Sequence, residues 1–160
     1  MQRITFFSAL LLPCLLSISS YEQHQNVVIG STQGYGIPGE PAVCMNPANP
    51  DEIMVGAMVN NYYATIDGGY TWQHGTLNST WGVQANPVIL CDDAGRFYYL
   101  HLPDVIQRVV CHKKDDINAP WSQETSVAFN GTHDVDKEWA CYDPRQRQDL
   151  PLMDLLRHLG

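Results

Sequence analysis

The chain has 160 residues, with nine Lys and Arg against 17 Asp and Glu, which gives a formal net charge of −8. This length allows one ordinary domain or part of a larger one. Hydrophobic residues make up 44% and charged residues 16%, a balance that excludes a disordered, highly charged tail. The few basic residues are scattered, which excludes nucleic acid as a partner because such binding needs a concentrated positive surface.

The first 20 residues have the layout of a secretory signal peptide. Arg3 precedes an apolar stretch, which ends in the small residues Ser19 and Ser20. The apolar stretch is too short to cross a bilayer, and no other stretch reaches the length of a spanning helix. We therefore predict that residues 1–20 are removed, that the chain has no membrane span, and that the protein is secreted or periplasmic.

Removal of residues 1–20 would leave an even number of cysteines. In an exported protein these cysteines can form disulfides or stay as free thiols, and the sequence does not decide between the two. Three of them lie within apolar, strand-like runs, where a free buried thiol is the commoner state. No two have the spacing of a zinc knuckle. The sequence predicts no metal cluster and no cofactor. These cysteines are Cys44, Cys91, Cys111 and Cys141.

Three short apolar runs, each closed by Asn or Asp, recur along the chain at 41–46, 87–92 and 138–143. The closing residues lie 46 and 51 positions apart, a spacing that suits a unit of four strands. Clusters of β-branched and aromatic residues between turn residues predict the strands themselves. In the first unit they fall at 42–45, 53–59, 62–66 and 71–74, and in the second at 88–91, 96–102, 106–112 and 121–128.

Helical spacing of apolar residues is absent from 27 to 142, and the fold class predicted is all-β. Four-stranded units at this period are the blades of a β-propeller, which closes a ring of about 4–8 blades. Residues 21–143 hold about two blades and the start of a third. We therefore expect that the remaining propeller blades are missing from this chain.

The last segment, 144–160, loses the strand pattern. Leucines at helical spacing indicate a short C-terminal helix, which would act as a natural cap. The alternative is a truncation or a reading-frame artefact, because the change falls within the third repeat. The leucines are Leu152, Leu155, Leu156 and Leu159.

One motif identifies a family. The run 65–72 matches the pattern Ser/Thr-x-Asp-x-Gly-x-Thr-Trp, and a degenerate copy at 114–121 keeps Asp116 and Trp121. The two tryptophans of these runs are 49 residues apart, in step with the repeat. The chain from 34 to 143 thus resembles the Asp-box (BNR-repeat) β-propellers of the sialidase, or glycosyl-hydrolase-like, superfamily. The fixed positions of the first box are Thr65, Asp67, Gly69, Thr71 and Trp72.

The Asp boxes are predicted to be structural turns between the third and fourth strands of a unit. Asp67 can accept hydrogen bonds from turn N–H groups, while Gly69 supplies a permissive backbone. Fold signatures and functional sites are separate features of a protein. The resemblance implies that any ligand binds at the face opposite these boxes.

The standard sialidase residues are not present in this chain. The resemblance implies an arginine cluster, an acid Asp and a Tyr paired with a Glu. In the Tyr/Phe-Arg-Ile-Pro motif Gly36 stands in place of the arginine, and the loop of the acid Asp is reduced to Asn60-Asn61. The Tyr/Glu pair would belong to later blades. We therefore assign no catalytic residue and predict no standard sialidase chemistry.

The loops opposite the boxes offer aromatic and acidic side chains, which suit sugars because rings stack and carboxylates accept hydroxyl protons. The pair Asp136 and Glu138 is the first choice, since it precedes a predicted strand. Our hypothesis is an exported sialidase-like propeller that engages carbohydrate or glycoprotein. The alternative is a non-catalytic propeller acting as a protein-binding or cell-surface module. The candidate ligand-binding residues are Asp136, Glu138, Trp81, Tyr35 and Asp104, and the same loops carry His101, His133 and Lys137.

Overall fold

A computed structural model describes residues 26–30 and 38–144. The predicted signal peptide, the C-terminal helix with its alternative, and the positions Tyr35 and Gly36 lie outside these residues. The described chain contains eight strands and no helix. In residues 26–30 and 38–144 there is accordingly no helix with the length and apolar character that crossing a membrane requires.

The strands form two four-stranded antiparallel sheets, each with its strands in chain order. The all-β prediction and the repetition of a four-stranded unit are confirmed. The first sheet contains β1 (Ala42–Asn46), β2 (Asn49–Ala57), β3 (Asn61–Thr65) and β4 (Gln73–Thr76). The second contains β5 (Ala85–Cys91), β6 (Phe97–Leu102), β7 (Arg108–Lys114) and β8 (Thr125–Phe129).

The fourth strand of each sheet begins later than predicted. The predicted strands at 71–74 and 121–128 start within the box motifs, whereas β4 and β8 start after them. In the first unit the backbone N–H of Thr71 donates to the Asp67 carboxylate, so this donor is used in the turn and is not free for a strand ladder. The box motif therefore extends the turn at the expense of the strand.

The third apolar run, at 138–143, forms no strand among the described residues, so the predicted start of a third blade has no strand there. The chain before this run lies against the second sheet: Val135 N–H donates to Ile106 O at 2.7 Å. Val135 and Ala140 pack against the outer face of that sheet. Residues 130–144 contain no strand that could pair with this run and form a ladder with it.

The main core lies between the two sheets. Because side chains alternate between the two faces of a strand, one strand can contribute to this core and to a second cluster on its other face. In β6, Phe97 and Tyr99 are fully buried in the inter-sheet cluster, whereas Leu100 and Leu102 pack on the opposite face. Both sheets therefore bury two apolar faces in part. The inter-sheet cluster consists of Met54, Leu77, Ile89, Cys91, Phe97, Tyr99 and Ile117.

The two units pack in the same orientation. We call the face of each sheet that carries Val43 and Met45, or Ile89 and Cys91, its front, and the opposite face its back. The front of the second sheet packs against the back of the first. By the repeat, Val43 and Met45 of β1 correspond to Ile89 and Cys91 of β5. The β5 pair is 5% and 6% exposed against the first sheet, whereas Val43 and Met45 are 68% and 52% exposed. The front face of the first sheet thus has an apolar edge without a neighbour in the described chain.

All four described cysteines are free thiols. Cys91 and Cys111 are buried within β5 and β7, and burial raises the pKa of each thiol to about 12. Cys44 is half-buried in β1, and Cys141 is exposed. Of the two states that the sequence leaves open, the structure has the free thiols.

Candidate functional site

The turn between β3 and β4 is built around the carboxylate of Asp67. This carboxylate accepts hydrogen bonds from the Thr71 N–H at 2.9 Å, the Thr71 hydroxyl at 2.5 Å and the Thr65 hydroxyl at 2.7 Å. The Trp72 indole N–H donates to Gly69 O at 2.9 Å. The hydrogen bonds from Thr71 and Thr65 lower the pKa of Asp67 to about 2. The polar contacts of the Asp67 carboxylate are all local, and a backbone hydrogen bond from the Gly68 N–H to Asp51 O at 3.0 Å joins the turn to β2.

The degenerate turn between β7 and β8 uses fewer polar contacts. Asp116 accepts two backbone N–H groups, from Asn118 at 2.8 Å and from Ala119 at 2.9 Å. Trp121 lies edge-on to Tyr62 and Tyr99, with ring centroids 5.5 Å and 5.9 Å away. This turn is held by its tryptophan against the core as much as by its aspartate.

The opposite end of the sheets brings together polar side chains from distant parts of the chain, with Asn86 at their centre. Its backbone N–H donates to Glu40 Oε2 at 3.1 Å, and its side-chain Nδ2 donates to Asp136 Oδ1 at 3.1 Å. Asn86 lies in a β-bulge, since the pairing of β5 with β6 shifts register between Ala85 and Val88. Bulges frequently lie beside functional sites, where they redirect a side chain.

Glu138 completes this group, which we call the acidic cluster: Glu40, Asn86, Asp136 and Glu138. Both carboxyl oxygens of Glu138 are shielded from solvent, and among the described residues neither has a hydrogen-bond partner outside Glu138 itself. Burial raises the pKa of Glu138 to about 7, and the carboxylates of Glu40 and Asp136 add to this shift while Lys137 opposes it. Glu138 is therefore half-protonated near neutral pH.

The backbone around the acidic cluster is strained. Glu40, Asn86 and Lys137 have φ values of 47°, 56° and 66°, and they are the only residues other than glycine with positive φ in the part of the chain that is described. A residue with a side chain adopts this region at a cost of roughly 1–3 kcal/mol, and such residues gather at functional sites. Three of them beside one group of carboxyls mark the acidic cluster as the candidate site.

Trp81 and Asp104, two further candidates, form a separate pair. The Asp104 N–H donates to Trp81 O at 3.0 Å. The Arg108 guanidinium lies 5.3 Å from the Trp81 ring centroid and 4.8 Å from that of Phe129. No hydrogen bond joins this pair to the acidic cluster among residues 38–144. The structure thus brings Asp136 and Glu138 together, and Trp81 and Asp104 together, as two groups.

The sequence predicts His101 both at the end of the strand 96–102 and in a loop of this face; the strand is confirmed and the loop position is wrong. It lies within β6, is fully buried, and stacks on His112 with ring centroids 5.4 Å apart. Burial lowers the pKa of His101 to about 4. The side chain is part of the core, whereas His133 is exposed on the loop as expected.

Sequence reasoning missed Glu40 and Asn86. The local signal for Asn86 is its place before Pro87 at the start of a strand, where a bulge is favoured because proline lacks an N–H. Within residues 26–30 and 38–144, no group of three or more His, Cys, Asp or Glu side chains is arranged to hold a metal ion. The contacts seen within the acidic cluster are the hydrogen bonds from Asn86 to Glu40 and to Asp136.

Comparison of the whole chain with protein-family models, with curated proteins and with solved structures finds no match to any of them.

Proposed function

We propose that this protein is an exported, sialidase-like Asp-box propeller protein that engages carbohydrate at the acidic cluster. The observation that carries the proposal is the buried carboxyl of Glu138, which has a pKa raised to about 7 and lies near Asp136 and Glu40. Perturbed carboxyls of this kind are concentrated at binding and catalytic sites.

The propeller part of the proposal is supported by how the units repeat. Ala42 and Cys44 of β1 pack toward the second sheet, and their equivalents in β5, Val88 and Leu90, pack toward the segment that follows. Each unit therefore presents its back to the next one, as successive blades do. The complete box of the first unit, with Asp67 at its centre, lies at the opposite end from the acidic cluster.

The carbohydrate part is supported by the chemistry of the acidic cluster. The Asp136 carboxylate can accept a sugar hydroxyl, while a protonated Glu138 can donate a hydrogen bond or a proton. Two carboxyls whose environments differ in this way can divide acid and base roles. The standard sialidase arginine is replaced by Gly36 in the sequence, and we propose no sialic acid release by the standard mechanism.

The test is a glycan array probed with the full chain and with the double substitution D136N/E138Q. We expect the double variant to lose at least about tenfold in retention on any glycan that the parent binds, because hydrogen bonds from charged groups are worth roughly 1.5–3 kcal/mol. D51N, at an exposed position of β2 that belongs to neither group of candidate residues, is the matched control and should retain binding. Absence of binding by the parent, or equal binding by D136N/E138Q, contradicts the proposal. A fluorogenic sialoside should not be hydrolysed.

A second candidate function is a non-catalytic, protein-binding module. The observation that favours it is the exposed apolar front face at Val43 and Met45, because neighbouring apolar residues at 68% and 52% exposure mark a contact surface. Replacing both residues by Ser should abolish capture of a protein partner and leave glycan retention unchanged. Glycan binding that fails while this capture persists would favour the module over the carbohydrate site.

A further inference from the structure

A small cleft opens between the two Asp-box turns, at the end of the sheets opposite the acidic cluster. Its volume is about 200 Å³. The first sheet contributes Tyr62, Gln73 and His74 to its lining, and the second unit contributes Lys114 and Asn118. The cleft is therefore separate from the site proposed for carbohydrate and has its own chemistry.

Lys114 is the unusual residue of this cleft. Lysine is almost never buried without a partner of opposite charge, yet Lys114 is only 6% exposed. The Lys114 ammonium makes one hydrogen bond among the described residues, to Ile117 O at 3.3 Å. The two ion pairs of that part of the chain join Arg96 to Asp92 and Lys113 to Asp115, and neither includes Lys114.

Two aromatic rings supply part of the missing stabilisation. The Lys114 ammonium lies 5.2 Å from the Tyr62 ring centroid and 5.1 Å from that of Trp121. Cation–π contacts of this kind recover less free energy than it costs to remove an ammonium from water. An ammonium has three N–H donors, so an anion in the cleft can accept hydrogen bonds that the protein leaves unused.

We propose that this cleft binds a small monovalent carboxylate, which pairs with the Lys114 ammonium between the Tyr62 and Trp121 rings. The amides of Gln73 and Asn118 line the same space and can donate to the second carboxylate oxygen. Pockets for drug-sized ligands measure roughly 300–1,000 Å³, so a cleft of about 200 Å³ fits an anion of a few heavy atoms.

The surrounding charges favour a monovalent anion over a phosphate. Asp67, Asp115 and Asp116 all lie in the two turns, and each already has hydrogen-bond or ion-pair partners. Their negative charges oppose an anion in proportion to its own charge. Burial also lowers the pKa of Lys114, while Asp116 opposes that shift, so binding of an anion should weaken as the pH rises and the ammonium is lost.

The experiment is an NMR titration of the full chain with sodium acetate, with sodium chloride and sodium phosphate as separate arms at matched ionic strength. We expect acetate to give saturable shifts at Lys114, Tyr62 and Asn118, and chloride or phosphate to give at least tenfold weaker ones. K114M should lose the acetate shifts. K113M, which removes the exposed neighbour, and E138Q, which alters the carbohydrate site, should keep them.

Shifts that do not saturate, or that map away from the cleft in the parent protein, overturn the proposal without any substitution. Saturable shifts that persist unchanged in K114M overturn it as well. If K114M fails to fold, the position of the acetate shifts in the parent protein decides whether the cleft is the binding site. K114R keeps the positive charge and should keep the shifts at Tyr62 and Asn118. Stronger binding of phosphate than of acetate would contradict the assignment to a monovalent carboxylate.

Discussion

The two ends of the sheets use polar side chains in opposite ways. At the Asp-box end, Asp67 bonds to Thr65 and Thr71, which lie two and four residues away in the sequence. At the other end, Asn86 bonds to Glu40 and Asp136, which lie 46 and 50 residues away. The hydrogen bonds of Asp67 are local to its turn, whereas those of Asn86 are made only by the tertiary fold.

The two ends also differ in whether a carboxyl already has hydrogen-bond partners or is left without them to bind a ligand. The carboxylate of Asp67 is saturated by its own turn, and its pKa is lowered to about 2. The carboxyl of Glu138 has no partner beyond its own residue among the described residues, and its pKa is raised to about 7. A saturated group adds stability, whereas an unsatisfied one is free to act on a ligand.

The largest expected effect is at the Asp-box end, where packing supports the degenerate turn. Trp121→Ala should lower the free energy of unfolding by about 3 kcal/mol, since it removes an indole that contacts Tyr62 and Tyr99. Trp81→Ala at the other end should cost less, about 1–2 kcal/mol, because Trp81 is 38% exposed and contacts Arg108 at the surface. Urea unfolding measures both, and equal losses would break the comparison.

A smaller effect is expected from His101, which lies in the core between the two ends. Its pKa is lowered from 6.5 to about 4, mainly by burial, with the stacked His112 adding and Glu124 and Asp104 opposing. A lowered histidine pKa means that the unfolded chain binds the proton more readily, so stability falls as the pH drops from about 6.5 toward 4. The contribution of His101 to this loss is about 1–2 kcal/mol between pH 7 and pH 5, and Glu138, with its raised pKa, acts in the opposite direction over the same range.

His101→Leu should remove this contribution, so that the variant gains stability relative to the parent on going from pH 7 to pH 5, as measured by urea unfolding at both pH values. His133→Leu, on the exposed loop, is the matched control and should retain the slope. If His101→Leu and the parent showed the same difference in stability between pH 7 and pH 5, His101 would not be a buried, neutral side chain.

The smallest effect concerns the complete turn itself. Asp67→Ala should lower the Tm by a few degrees, and by more than Asp116→Ala, because Asp67 accepts two hydroxyl groups in addition to backbone N–H. The stabilising effect of a lowered carboxyl pKa should be lost as the pH falls from 3.8 through about 2. Neither substitution should change glycan retention. Loss of retention at an unchanged Tm in Asp67→Ala would assign the Asp box a binding role.

The sequence predicts the strands well because alternation and turn residues are local properties. It predicts the turn of Asp67 for the same reason, since every partner lies within the motif. It indicates only half of the acidic cluster: Asp136 and Glu138 follow from their place in a loop, whereas Glu40 and Asn86 join them through a bulge and pairing over long distances. The predicted start of a third blade at 138–143 forms no strand among the described residues, because a strand needs a partner and apolar composition alone does not supply one.

The central claim is that the two ends hold carboxyls of opposite character, and a ¹³C NMR titration of the side-chain carboxyls of the full chain tests it directly. The account predicts that Glu138 titrates near pH 7 and Asp67 near pH 2 in the same sample. E138Q and D67N assign the two signals. If Glu138 titrated near the ordinary value of 4.5, the buried, available carboxyl on which the proposed site rests would not exist.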